Sequence, residues 1–180
     1  MVLPGFQTTD RSTAPLRRYL GYLGYDAVGW GLGVNRGQLG AVLPPLEDRL
    51  GQLGPGPVAL VGWSWGGVLA RGLGRSVPGR VSQVITLGTP IQGGVADTAF
   101  GGRASQADRD ESARAALERE AQPLVVPALS IYTRRDGVVA WQASLDPVDG
   151  RTDHVEVEST HAGLGISPAV WLLIAERLAG

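Results

Sequence analysis

The stretch G-W-S-W-G at residues 62 to 66 sets a small polar residue between two tryptophans and closes both sides with glycine. Ahead of it stands the apolar run Pro57, Val58, Ala59, Leu60, Val61, and behind it come Gly67, Val68, Leu69, Ala70 and Arg71. A short β-branched and aliphatic run bounded by Gly and Pro predicts a buried strand, and the following spacing predicts a helix, so Ser64 falls at a strand-to-helix corner. A serine there projects its hydroxyl above the sheet, and the sharp backbone needs small neighbours two residues to either side, which are Gly62 and Gly66. The first amides of the helix and the positive end of its dipole face the same spot, which suits a developing oxyanion. Five residues with two common types recur by chance; the position after a buried strand and before a helix is what gives the pattern weight.

The remaining elements alternate in type. Val2 and Leu3 form a strand stub broken by Pro4 and Gly5, and Ser12 or Thr13 can cap a helix to about Leu23 with Leu16, Leu20 and Leu23 on one face. Tyr25 to Trp30 reads as a strand, and Gln38 to Leu53 has helical spacing interrupted by Pro44 and Pro45. A helix to about Val77 follows the Ser64 corner, then strands at Val81 to Leu87, Val125 to Tyr132 and His154 to Val157, and a last helix from Pro168 to Leu178. This order predicts an α/β domain: a central, mostly parallel sheet of about six strands with helices on both faces. The 180 residues fit a single domain over 1–180, and no internal repeat divides them. The polar, Gly-rich stretch 92–109 and a solvated helix over 110–121, with Arg114 and Glu118 four residues apart, make 92–121 either a small cap or a long connection. Its hydrophilic character favours the connection, because a lid facing lipid should be amphipathic.

Composition removes several function classes. The formal net charge is -1 and no basic cluster is interleaved with aromatics, so no nucleic-acid partner is expected. There is no cysteine, which excludes disulfides, thiolate metal sites and a cysteine nucleophile. No cluster of metal ligands is visible, and neither a metal nor a cofactor is expected. No apolar run reaches the roughly 18 to 20 residues that span a bilayer. Met1 leads directly into Val2, Leu3, Pro4 and Gly5 without a charged or long apolar segment, so no signal peptide is expected and the compartment stays open.

A serine hydroxyl is a poor nucleophile unless a base takes its proton, and that base needs an orienting group. Of the two histidines, His154 sits in the alternating pattern Thr152 to Val157, where a surface or edge place is expected. His161 lies in the small-residue loop Ser159 to Gly165 just beyond that strand, and at the carboxyl end of the sheet it could reach Ser64. Asp136 follows the strand ending at Tyr132, in the turn Thr133, Arg134, Arg135, Asp136, Gly137. An Asp-Gly turn alone needs no catalytic role, but the chain order Ser64, Asp136, His161 is that of α/β-hydrolases. Asp146, Asp149 and Asp153 stand as alternative acids. The amides of Trp65, after the nucleophile, and Phe6, after the first strand, are the candidate oxyanion donors. Phe6, Trp65, Trp30 and Trp141 are the candidate walls of an open groove over Ser64.

The chain resembles the α/β-hydrolases, and within them the small lidless bacterial lipases and esterases that lack the first strands of the full fold. The likeness rests on Pro4 to Phe6, Gly62 to Gly67, Ile85 to Pro90, Ile131 to Val139 and His161 to Leu164. It implies ester hydrolysis through Ser64, His161 and Asp136, with the Phe6 and Trp65 amides on the oxyanion. The expected substrate is a small-molecule or lipid ester, and a monomer is expected. Pro4 departs from the His that many relatives carry before this Gly, and tryptophans flank Ser64 where smaller residues are common. An acyltransferase or thioesterase would use the same residues, and a non-catalytic binding protein would be expected to have lost one of them.

Overall fold

Apolar residues alternate in each strand between two separate cores, and that alternation defines the layers. Leu60, Val84 and Ala128 belong to one buried cluster, whereas their neighbours Val61, Ile85 and Leu129 belong to another. Successive strand side chains point to opposite faces, so both faces of the sheet are covered. The computed structural model describes residues 1–92, 118, 122–147 and 151–180. The cap or connection expected over 92–121, apart from Gln92 and Glu118, and Asp149 lie outside the described residues.

Among the described residues the sheet has five strands, β1 (Val2–Leu3), β2 (Val58–Trp63), β3 (Val81–Leu87), β4 (Ala128–Tyr132) and β5 (Thr152–Glu156). They lie side by side in chain order, and every pairing is parallel. Helices α1 (Asp10–Tyr22) and α2 (Leu39–Gly51) precede β2, α3 (Trp65–Ser76) follows it, and α4 (His161–Leu164) and α5 (Pro168–Ala179) end the chain. Leu46 and Leu50 of α2 pack with Leu69, Ala70 and Leu73 of α3 on one face, and Leu16 and Leu20 of α1 with Val170 and Ile174 of α5 on the other. Among the described residues no helix is long and apolar enough to cross a membrane.

Three expectations are corrected. The strand expected at Tyr25 to Trp30 is reduced to a single bridge between Val2 and Gly29. Asp10 explains this: its carboxylate accepts the backbone N–H groups of Trp30 and Gly31, each at 3.0 Å, and so takes the Trp30 amide that a ladder with β1 would have used. Pro44 and Pro45 do not interrupt α2; both lie on its exposed side, where carbonyls left without an amide donor reach water. Helix α1 starts earlier than expected, with Thr9 as its N-cap accepting from Arg11 N–H.

At the end of β2 the strand, the next helix and the first loop meet without space for side chains. A methyl group at Gly62 would overlap the Gly66 carbonyl and the Gly67 backbone, and one at Gly66 would overlap the Leu3 carbonyl. Gly62→Ala is therefore expected to cost at least about 3 kcal/mol, because a rigid backbone cannot give way to the added carbon. Gly79, with nothing within 4 Å of the corresponding position, is the control. Gly79→Ala should stay within about 0.5 kcal/mol of the parent; guanidinium unfolding midpoints check both.

Candidate active site

Ser64 joins β2 to α3 with φ 54 and ψ -123, the left-handed side of backbone space that a residue with a Cβ avoids. Such a conformation costs on the order of 1–3 kcal/mol and persists only where its surroundings over-determine it. Here Ser64 N–H donates to the Leu87 carbonyl at 2.8 Å, and the Ser64 carbonyl accepts from Gly67 N–H and the Thr89 hydroxyl, both at 2.9 Å. The bonds tie the corner to β3 and its exit. Thr89 had no role assigned from the sequence.

Asp136 and His161 meet directly. Nδ1 of His161 is 2.8 Å from each carboxylate oxygen of Asp136, with both side chains mostly buried. The His161 backbone N–H also donates to the Asp136 carbonyl at 3.1 Å. Asp136 Oδ1 accepts the N–H groups of Val138 at 3.0 Å and Val139 at 2.6 Å, which fixes the carboxylate in its turn. A carboxylate against Nδ1 calls for the proton on that nitrogen and leaves Nε2 as the acceptor. His161 opens the short helix α4, capped by Thr160, whose hydroxyl accepts from Gly163 N–H at 3.1 Å.

The pair and the corner share one rim of the sheet. Trp63, the residue before Ser64, donates its indole N–H to the His161 carbonyl at 3.1 Å, and the two rings lie 6.1 Å apart. Gly88, next to the Leu87 that holds Ser64, lies against both partners: a Cβ there would stand 2.8 Å from Asp136 Oδ2 and 3.1 Å from His161 Nδ1. Asp136 and His161 are thus in contact, and Ser64 is linked to them through Trp63 and the exit of β3. Among the described residues the Ser64 hydroxyl makes no hydrogen bond to His161. Such bonds are often long in a free enzyme and tighten with substrate.

The other expected residues separate. Trp65 is the first residue of α3, a position whose N–H has no partner within the helix. Its ring and that of Phe6 come together over Gly37, where a Cβ would lie 3.1 Å from Phe6 ring carbons and 3.5 Å from Trp65 Nε1. Phe6 is 39% exposed. Trp141 stacks on Tyr132 at 6.0 Å with Arg134 over its ring at 4.8 Å, in the segment that follows Asp136. Trp30 is not a groove wall: it is fully buried in the core with Leu3 and Leu46, and its indole N–H donates to the Gly33 carbonyl at 3.1 Å.

The alternative acids are engaged elsewhere. Asp146 forms a buried ion pair with Arg71 at 2.6 Å and accepts from the Thr152 hydroxyl at 2.9 Å. Asp153 pairs with Arg177 at 2.9 Å on the surface. His154 is exposed on β5, where Nε2 accepts from Asp146 N–H at 2.9 Å. Among the described residues no group of three His, Cys, Asp or Glu side chains stands together to hold a metal ion.

No protein-family model and no curated protein matches the sequence. Solved structures do match in shape. The thioesterase domain from the curacin biosynthetic pathway is similar over 99% of this chain and 90% of its own, with a TM-score of 0.72 and 15% identity. A membrane phospholipase A, a bacterial virulence factor, is similar over 99% of this chain and 77% of its own, with a TM-score of 0.70 and 15% identity. A thermophilic esterase from Thermogutta terrifontis is similar over 99% and 88%, with a TM-score of 0.64 and 15% identity. The chain has the α/β-hydrolase fold in a minimal form, with five parallel strands among the described residues.

Removing one partner of a buried ion pair takes away a charge that the other was desolvated to meet. Asp146→Asn is accordingly expected to lower stability by about 3 kcal/mol. Asp153→Asn, which breaks an exposed pair, should change it by less than about 0.5 kcal/mol. Thermal or denaturant unfolding of both variants, side by side, reads the difference.

Proposed function

We propose that the chain is a carboxylic ester hydrolase, of the serine esterase or lipase type, acting through Ser64, His161 and Asp136. The observation that carries this reading is the Asp136–His161 contact on the rim where Ser64 is held in a strained corner. The similar solved structures, an esterase, a phospholipase and a thioesterase among them, support hydrolysis in general.

In this mechanism His161 Nε2 takes the hydroxyl proton as Ser64 Oγ attacks the ester carbonyl, and the carbonyl π electrons move to oxygen. The Phe6 and Trp65 amides hold that oxyanion. As the tetrahedral intermediate collapses, the C–O bond to the alcohol breaks and His161 returns the proton to the leaving oxygen. Water, deprotonated by the same imidazole, then cleaves the acyl-enzyme to carboxylate. Asp136 keeps the Nδ1–H tautomer and stabilises the imidazolium. Phe6, Trp65 and Trp141 form the apolar surroundings of an open groove, so activity on a short-chain ester should rise smoothly through its solubility limit. The thioesterase resemblance favours a second reading, in which the acyl group comes from a thioester or passes to another acceptor; product analysis with an added alcohol separates these.

Ser64→Ala should abolish both p-nitrophenyl ester hydrolysis and fluorophosphonate labelling while unfolding at the parent temperature. Asp136→Asn should lower kcat by about 10⁴ with little change in KM, since it holds the wrong tautomer. His154→Ala should hydrolyse at the parent rate. Labelling that persists in Ser64→Ala, or an inactive His154→Ala, would contradict the assignment.

A further inference from the structure

Asn35 is fully buried, and no step of the proposed reaction uses it. Its amide reaches the loop that carries Phe6: Nδ2 donates to the Pro4 carbonyl at 2.8 Å, while Oδ1 accepts Gly37 N–H at 3.0 Å. A carbonyl on one side and an N–H on the other fix which way the amide faces. The backbone of Asn35 holds the same loop, its carbonyl accepting Gln7 N–H at 2.7 Å and its N–H donating to the Thr8 carbonyl at 2.9 Å.

Thr8 closes the loop from within. Its hydroxyl donates to the Gly5 carbonyl at 2.8 Å, its N–H donates to the same oxygen at 3.2 Å, and the Ser12 hydroxyl donates to Thr8 Oγ1 at 3.2 Å. The Gly5 carbonyl and the Phe6 N–H belong to one planar trans peptide and point in opposite directions. Gripping the carbonyl therefore sets the direction of the amide. The loop needs such a grip, because Gly5 has no side chain to restrict it and Gln7 stands at φ 57. Gly5 is also beside the corner: a Cβ on it would lie 3.4 Å from Ser64 Cβ.

We infer that Asn35 and Thr8 are positioning residues that clamp the peptide planes of Pro4–Gly5 and Gly5–Phe6, so that the Phe6 amide is aimed at the oxyanion before substrate arrives. The inference rests on the Phe6 amide acting as a donor in the hydrolysis proposed above. Oxyanion donors act by being preorganised, and a donor free to swing must be ordered again in each transition state. A loosened clamp thus weakens transition-state binding and spares ground-state binding.

Two variants test it. Asn35→Asp keeps the acceptor for Gly37 and loses the donor to Pro4; Thr8→Val keeps the shape and loses the hydroxyl on Gly5. For each, kcat and KM on p-nitrophenyl butyrate are measured per active site titrated with a fluorophosphonate, together with inhibition by an aliphatic boronic acid, which adds to serine as a tetrahedral anion. The expected result is kcat roughly 10- to 100-fold lower, milder than deleting a donor outright, with KM within about twofold and boronic acid affinity falling by the same factor as kcat. A purely structural role would lower the fraction of titratable sites and leave kcat and inhibition per site at parent values, which would overturn the clamp. A raised KM at parent kcat would overturn it too. Should Asn35→Asp fail to fold, Thr8→Val decides alone. Full activity in Ser64→Ala would remove the reaction on which the clamp depends, whereas parent kcat in Thr8→Val beside an inactive Ser64→Ala overturns the clamp alone.

Discussion

Ser64 occupies a backbone conformation that no isolated chain would keep, and three elements of the fold are arranged around holding it. Register puts Trp63 of β2 opposite Leu87 of β3, which brings the Leu87 carbonyl to the Ser64 amide. The exit of β3 then supplies Thr89 to the Ser64 carbonyl. Helix α3 and the end of β1 close in so tightly that positions 62 and 66 admit only glycine. A strain of about 1–3 kcal/mol is comparable with what two or three intramolecular hydrogen bonds contribute, at about 0.5–1.5 kcal/mol each. The corner is stable only while the surrounding sheet is formed.

The parallel, sequential strand order does the rest of the assembly. The exits of β2, β3, β4 and β5 stand in a row, so residues far apart in the chain arrive at one rim. Gly88 N–H donates to the Ile131 carbonyl at 2.9 Å, joining the exit of β3 to β4, whose following turn carries Asp136. Trp63 reaches over to His161 and fastens the last loop to the first corner. On the opposite side, Asn35 and Thr8 fasten the loop after β1. Ser64, Asp136 and His161 are thus each held by a neighbour outside the three.

Features with a local signature were legible in the sequence. Glycine on both sides of Ser64, a turn after β4 and a small-residue loop after β5 are short-range patterns, and two of the residues they single out, Asp136 and His161, are in contact. What was not legible depends on contacts made across the chain. Tyr25 to Trp30 has strand-like composition, but Asp10, twenty residues earlier, takes the Trp30 amide. Trp30 was expected to wall the groove, but Leu3 and Leu46 cover it from other elements and make it part of the core. Asn35 carries no local signature at all; its value lies in meeting Pro4, thirty-one residues away. Pro44 and Pro45 looked like breaks because propensity does not know which side of a helix faces water.

The covalent catalysis proposed at Ser64 would leave a direct trace. A slowly deacylating p-nitrophenyl ester, quenched in acid during turnover and followed by peptide mass spectrometry, should show one acyl group on the peptide containing Ser64, in step with an initial burst of p-nitrophenol. Steady turnover of the ester with no acyl group on Ser64, or with the group on another residue, would contradict the central claim.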